Sequence, residues 1–97
     1  MSVSVYEKGD YKRFGAEFRN LLGALTDPDT VTVKFTKPGG TVLTYTYAAT
    51  QITRTATGIF HREESLDEVG QWLYSWIGTG QVQEVRNGEF FVSAPGA

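Results

Sequence analysis

Leu66-Asp67-Glu68-Val69-Gly70-Gln71-Trp72-Leu73-Tyr74-Ser75-Trp76-Ile77-Gly78-Thr79-Gly80 is the stretch that decides the fold. An acidic turn closes at Gly70, and Trp72, Tyr74 and Trp76 follow at a spacing of two. Alternate residues of a strand face the same side, so these rings stand in one row on one face. Such a row wants a covering layer, which predicts a β-sandwich.

The flanking sequence repeats the pattern of short alternating runs broken by turn residues. Tyr11 to Arg19 reads as a strand with Lys12, Phe14, Ala16 and Phe18 on one parity, followed by a helical turn at 20–25. An amphipathic helix over 11–25 is the competing reading, weakened by Gly15 and Gly23. Val31, Val33 and Phe35 alternate with threonine and lysine, and Lys37-Pro38-Gly39-Gly40 connects them to a return strand, Thr41 to Tyr47. Gln51 to Ala56 and Gly58 to Glu63 read as two more strands, with the acidic turn at 63–70 and the tryptophan strand at 71–77. Gly78-Thr79-Gly80 reads as a break, and Asn87-Gly88 as a hairpin dividing the last strands, which hold Val82, Val85, Phe90, Phe91 and Val92. The expectation is an all-β sandwich of about seven antiparallel strands. Its core is predicted to hold Phe14, Phe18, Val31, Val33, Phe35, Tyr45, Trp72, Tyr74 and Trp76.

The 97 residues are expected to form one domain, 1–97, with an arm or edge strand at 1–10 and a loose tail at 94–97. Hydrophobic residues make up 40% and aromatic residues 13%, enough to fill one core. A net charge of -2 and scattered basic residues argue against nucleic-acid binding, which needs a basic stripe. The chain has no cysteine, so disulfides, thiolate metal sites and cysteine nucleophiles are excluded together. No run approaches the ~20 apolar residues of a membrane helix, so a soluble protein is expected.

Chemistry-bearing residues are sparse. His61 is the single histidine, too little for a triad or a zinc site without help. The acid pairs Asp27/Asp29, Glu63/Glu64 and Asp67/Glu68 suit glycosidase chemistry or calcium, and equally suit turns and solvated corners. Trp72, Tyr74 and Trp76 could stack on sugars if exposed, although a row of rings at period two more often fills an interior. No catalytic residue, metal or cofactor is expected. Lys12, Arg13, Arg19 and Arg54 are candidates for pairing with acidic partner surfaces.

Glu68-x-Gly70-x-Trp72-x-Tyr74 resembles the Asp-x-Gly/Ala-x-Tyr-x-Cys corner of immunoglobulin-type domains, with Trp72 in the tyrosine position and Tyr74 in the cysteine position. The disulfide is thereby lost, while the Trp72 indole N–H can still donate to a carbonyl. The order of several phrases is also similar to that of short immunoglobulin-like virion proteins of tailed bacteriophages and prophages. These phrases are Gly9-Asp10, Asp27-Pro28-Asp29-Thr30-Val31-Thr32, Pro38-Gly39-Gly40-Thr41, Thr57-Gly58-Ile59-Phe60-His61 and Leu66 through Gly80. That resemblance implies an immunoglobulin-like sandwich and a non-enzymatic structural subunit, a capsid decoration or a head–tail neck component. It implies assembly in the host cytoplasm and residence in the virion, in multiple symmetric copies. The partners would be major capsid or portal-proximal proteins, with neither nucleic acid nor membrane. A carbohydrate-binding module for host surface glycans is the alternative.

Overall fold

The computed structural model describes residues 4–94, so the first three residues of the expected arm and positions 95–97 of the expected tail lie outside it. Among the described residues, eight strands form two sheets: β1 (Ser4–Glu7), β2 (Tyr11–Glu17), β3 (Thr30–Thr36), β4 (Val42–Thr46), β5 (Thr53–Ala56), β6 (Ile59–Ser65), β7 (Gly70–Thr79) and β8 (Glu84–Ser93). The orders are β1-β8-β7-β3-β4 and β2-β6-β5. Taking β2 to β8 as strands B, C, C′, D, E, F and G gives the G-F-C-C′ and B-E-D neighbours of an immunoglobulin-like sandwich. The expected all-β sandwich is the fold, with eight strands rather than about seven. β1 is the expected edge strand, and it pairs in parallel with β8, Ser4 opposite Phe90 and Glu7 opposite Ser93.

The aromatic row of β7 faces the interior. Trp72 and Trp76 are 0% exposed and Tyr74 is half-buried. Removing an indole-sized side chain from water contributes about 5 kcal/mol as an upper bound, so these two residues anchor the core. Phe14 of β2 roofs the row, with its ring 4.9 Å from Phe90, 5.3 Å from Phe35 and 6.0 Å from Tyr74. Trp72 stacks on Phe90 at 5.6 Å. Phe14 and Tyr74 thus fill with rings the region between strands B and F that a disulfide bridges in antibody domains. Of the expected core, Phe14, Phe18, Val31, Val33, Phe35, Trp72 and Trp76 are buried, while Tyr45 and Tyr74 pack against it only half-buried. Ile52, Phe60, Leu66, Val82, Phe90 and Val92 complete it.

Four local expectations are corrected. Asn87-Gly88 is not a hairpin: β8 runs through it, paired to β7 from Glu84 to Val92. Gly88 is there because Tyr74 lies over it, and a Cβ would come within 2.6 Å of Tyr74 Cε1. Gly78-Thr79 does not break β7, which continues to Thr79 and ends before Gly80. Gly78 serves packing instead, since a Cβ would sit 2.9 Å from Phe18 Cε1. Residues 20–25 hold no helical turn but a tight loop, and β2 stops at Glu17, short of Arg19. The Lys37–Gly40 connection does form, with Lys37 N–H donating to Thr41 O at 2.8 Å and Gly40 N–H to Lys37 O at 2.9 Å.

Candidate interaction surfaces

The acidic corner is a structural clamp. Asp67 and Glu68 follow β6, and Lys37 leaves β3 beside them because Gly70 packs on Pro38. Lys37 Nζ lies 2.9 Å from Asp67 and 3.8 Å from Glu68, and 5.7 Å from the Trp72 ring centroid. Glu68 also accepts the Gly39 N–H at 3.2 Å. The hydrogen bond from Lys37 holds the Asp67 carboxyl below its usual range, and Asp67 in turn raises Lys37. The Trp72 indole N–H donates to Glu68 O at 2.9 Å, as the corner resemblance implied. These carboxylates are spent on the chain itself, and no group of three or more His, Cys, Asp or Glu among the described residues is arranged to hold a metal.

The candidate cations are placed as follows. Arg54 forks onto Asp27 at 3.0–3.2 Å, and Asp27 also accepts the Gly58 N–H at 2.7 Å. The Arg54 hydrogen bond is the main reason the Asp27 carboxyl lies low, with Gly58 adding to it. Arg13 meets Glu63 at 2.9 Å, and Lys12 sits over Tyr6, 5.6 Å from its ring. Arg19 reaches Glu17 at 3.2 Å and donates to Gly23 O at 2.9 Å. Each therefore has an internal partner, and the structure does not gather them into one patch: Arg54 lies on β5, Lys12 and Arg13 on β2, Arg19 just beyond it.

On the outer face of the three-stranded sheet, Gly15 opposes His61 and leaves a shallow groove of about 480 Å³. His61 Nδ1 is 2.7 Å from Thr55 Oγ1, and Nε2 is 3.5 Å from Glu63 Oε1. Burial pushes the Glu63 carboxyl up, but Arg13 and His61 outweigh it and hold it low. On the other flank of the sandwich, Arg62 stacks on Tyr45, 3.6 Å from the ring centroid, and faces buried Glu64 at 3.7 Å. Burial, with a contribution from Glu64, raises the Tyr45 hydroxyl.

The most exposed apolar feature among the described residues lies in the loop at 20–30, one of the end loops expected to touch neighbours. Leu21 and Leu22 stand fully in solvent at the tip of the loop that follows β2. The loop is rigidly tied: Asn20 Oδ1 accepts the N–H groups of Leu22 at 2.9 Å and Ala24 at 3.1 Å. Asn20 O accepts the Gly23 N–H at 2.9 Å, and Arg19 bridges to Leu25. An Asn opening a short loop that ends in glycine is the turn signal that was available; the paired leucines read instead as a helix face. A second apolar strip crosses the outer face of the five-stranded sheet through Val5, Phe91, Leu73 and Val42, all exposed.

An eight-stranded sandwich with no cysteine staple and an indole-tied corner defines an immunoglobulin-like β-domain. Its fold is similar to part of the chitinase ChiW of Paenibacillus sp. str. FPU-7, a bacterial cell-surface-expressed multi-modular enzyme, with a TM-score of 0.54 and 19% identity. The match covers 94% of this chain and 8% of the chitinase chain, and at that identity it speaks to fold alone. No protein-family model and no curated protein matches the sequence.

Proposed function

We propose that this domain is a non-enzymatic structural subunit of a tailed-phage particle, a capsid decoration or head–tail neck component that works by protein–protein packing. The observation that carries the packing role is the Leu21-Leu22 tip. Two adjacent leucines held fully in water by Asn20 and Arg19 bear the mark of an anchor for a hydrophobic pocket on a neighbour. Because the turn is already ordered, docking costs little conformational entropy there. A modest contact per copy suffices where symmetry repeats it. The virion setting rests on the sequence phrases shared with phage immunoglobulin-like proteins. The buried Trp72 and Trp76 weigh against the glycan reading, which needs them on the outside.

The test is to mix the purified chain with empty phage heads and pellet the heads. Binding at the faces supports decoration and binding at the unique vertex supports a neck role. A Leu21→Ser, Leu22→Ser double variant is expected to lose at least tenfold in affinity while unfolding at the same temperature. Unchanged binding by that variant removes the anchor, and no binding by the parent chain removes the virion role.

A further inference from the structure

In constant-type immunoglobulin sandwiches a strand A flanks strand B, the equivalent of β2. Here that place is empty among the described residues: β2 pairs only with β6, and β1 has gone to the other sheet. Phe18 N–H donates toward β6, to Gly58 O at 2.7 Å, and the β2–β6 register is unbroken from Glu17 back to Tyr11. Strand alternation therefore turns the N–H and C=O groups of Tyr11, Arg13, Gly15 and Glu17 toward the vacant side. With seven residues, β2 is a longer open edge than β1, β4 or β5.

The vacancy has a floor. Among the described residues β1 covers β8 only from Phe90 to Ser93, leaving Glu84–Glu89 unflanked on that side. Between this stretch and the end of β2 is a polar cavity of about 320 Å³, lined by Glu17, Arg19, Trp76, Arg86 and Asn87 among others. Trp76 is fully buried, and its Nε1–H has no acceptor among the described residues. Arg86, opposite Trp76 in register, shares the inward face of β8, and its head is bonded to Glu84 at 2.6 Å. Each arginine has one internal carboxylate and further N–H groups to give. The seam thus offers the Trp76 N–H and the free N–H groups of Arg19 and Arg86, beside the carboxylates of Glu17 and Glu84 that those arginines already hold.

We propose that this seam receives one extended, carboxylate-bearing segment donated by another protein. The segment adds to β2 through backbone hydrogen bonds and sets its carboxylate between Arg19 and Arg86. A second copy pairing β2 with β2 would instead make the free chain a dimer in solution, and that outcome overturns the slot. The proposal rests on the packing role given above and names where a partner enters.

The probe is a short synthetic peptide of alternating valine and threonine with a central aspartate, titrated into the labelled full chain and followed by NMR. Shifts are expected at the Gly15 and Glu17 amides and the Trp76 indole N–H, with the β4 and β5 edges unmoved. Replacing the aspartate with asparagine, or Arg86→Glu in the protein, should weaken binding about tenfold. Glu17→Pro, which deletes an outward N–H and leaves the ladder to β6 intact, should weaken it as well. Shifts spread equally over all open edges, or indifference to the carboxylate and to Arg86, overturn the slot. Head binding that survives Arg86→Glu also overturns it while leaving the virion role standing. Peptide binding without head binding upholds the slot and removes the virion role.

Discussion

Trp72 donates its indole N–H to the carbonyl of Glu68, four residues back, at 2.9 Å, and so ties the turn between β6 and β7 as a tyrosine hydroxyl does in antibody-type corners. The same ring stacks on Phe90 and lies under Lys37, so one side chain joins corner, core and hairpin. Trp76 is equally buried, but its N–H has no acceptor among the described residues. The pair provides an internal control. Trp72→Phe and Trp76→Phe remove similar ring area, and only the first strands a carbonyl. Trp72→Phe should cost about 2–4 kcal/mol, and Trp76→Phe about 1 kcal/mol less, in urea unfolding. Equal losses would show that the corner tie contributes nothing.

Gly88 illustrates how a strong local signal misleads. Asn-Gly between alternating apolar residues is a hairpin signature, yet β8 passes straight through because Tyr74 needs the space above Gly88. Gly88→Ala should therefore destabilise by about 1–3 kcal/mol through overpacking against the phenol ring. The loss should shrink in a Tyr74→Ala background, giving a coupling energy in a double-mutant cycle. Additive losses would place the clash elsewhere.

The fold was legible where one face decides everything. The period-two row at Trp72, Tyr74 and Trp76 and the valines of β3 had only one buried arrangement. Legibility failed where a residue's reason lies across the sandwich. Gly78 is explained by Phe18 and Gly88 by Tyr74, and neither partner is a sequence neighbour. The interaction surfaces were the least readable. Exposed Leu21 and Leu22 carry the same hydrophobic pattern as a helix face, and the vacancy beside β2 is a matter of strand order, which periodicity does not encode. The four candidate cations were read from charge alone, and charge does not reveal that Arg13 and Arg54 already have acids.

Acid sensitivity should trace to two internal ion pairs, Arg54–Asp27 and Lys37–Asp67. Asp27 and Asp67 are held below their ordinary value of 3.8, mainly by hydrogen bonds from Arg54 and Lys37. A carboxyl depressed in the folded state stabilises fully above its unfolded pKa, and that stability is lost as pH falls through the folded pKa. Asp27→Asn and Asp67→Asn should lower stability at pH 7 while flattening its decline below about pH 4. Both side chains are partly solvated, so the effects should be small and weaken with salt. An unchanged acid limb in the double variant would assign acid unfolding to other carboxylates.

Tryptophan emission separates the packing role from the glycan alternative. Both indoles are 0% exposed, and Trp72 stacks on Phe90. The native spectrum should be blue-shifted, and iodide should quench it far less than it quenches the urea-unfolded chain. Titration with chitin or lipopolysaccharide oligosaccharides should leave it unmoved, because neither buried indole presents a ring face on which a sugar could stack. A saturable red shift or protection on adding glycan would mean that the sheets part to admit a ligand, and the row on β7 would then be a binding platform rather than a core.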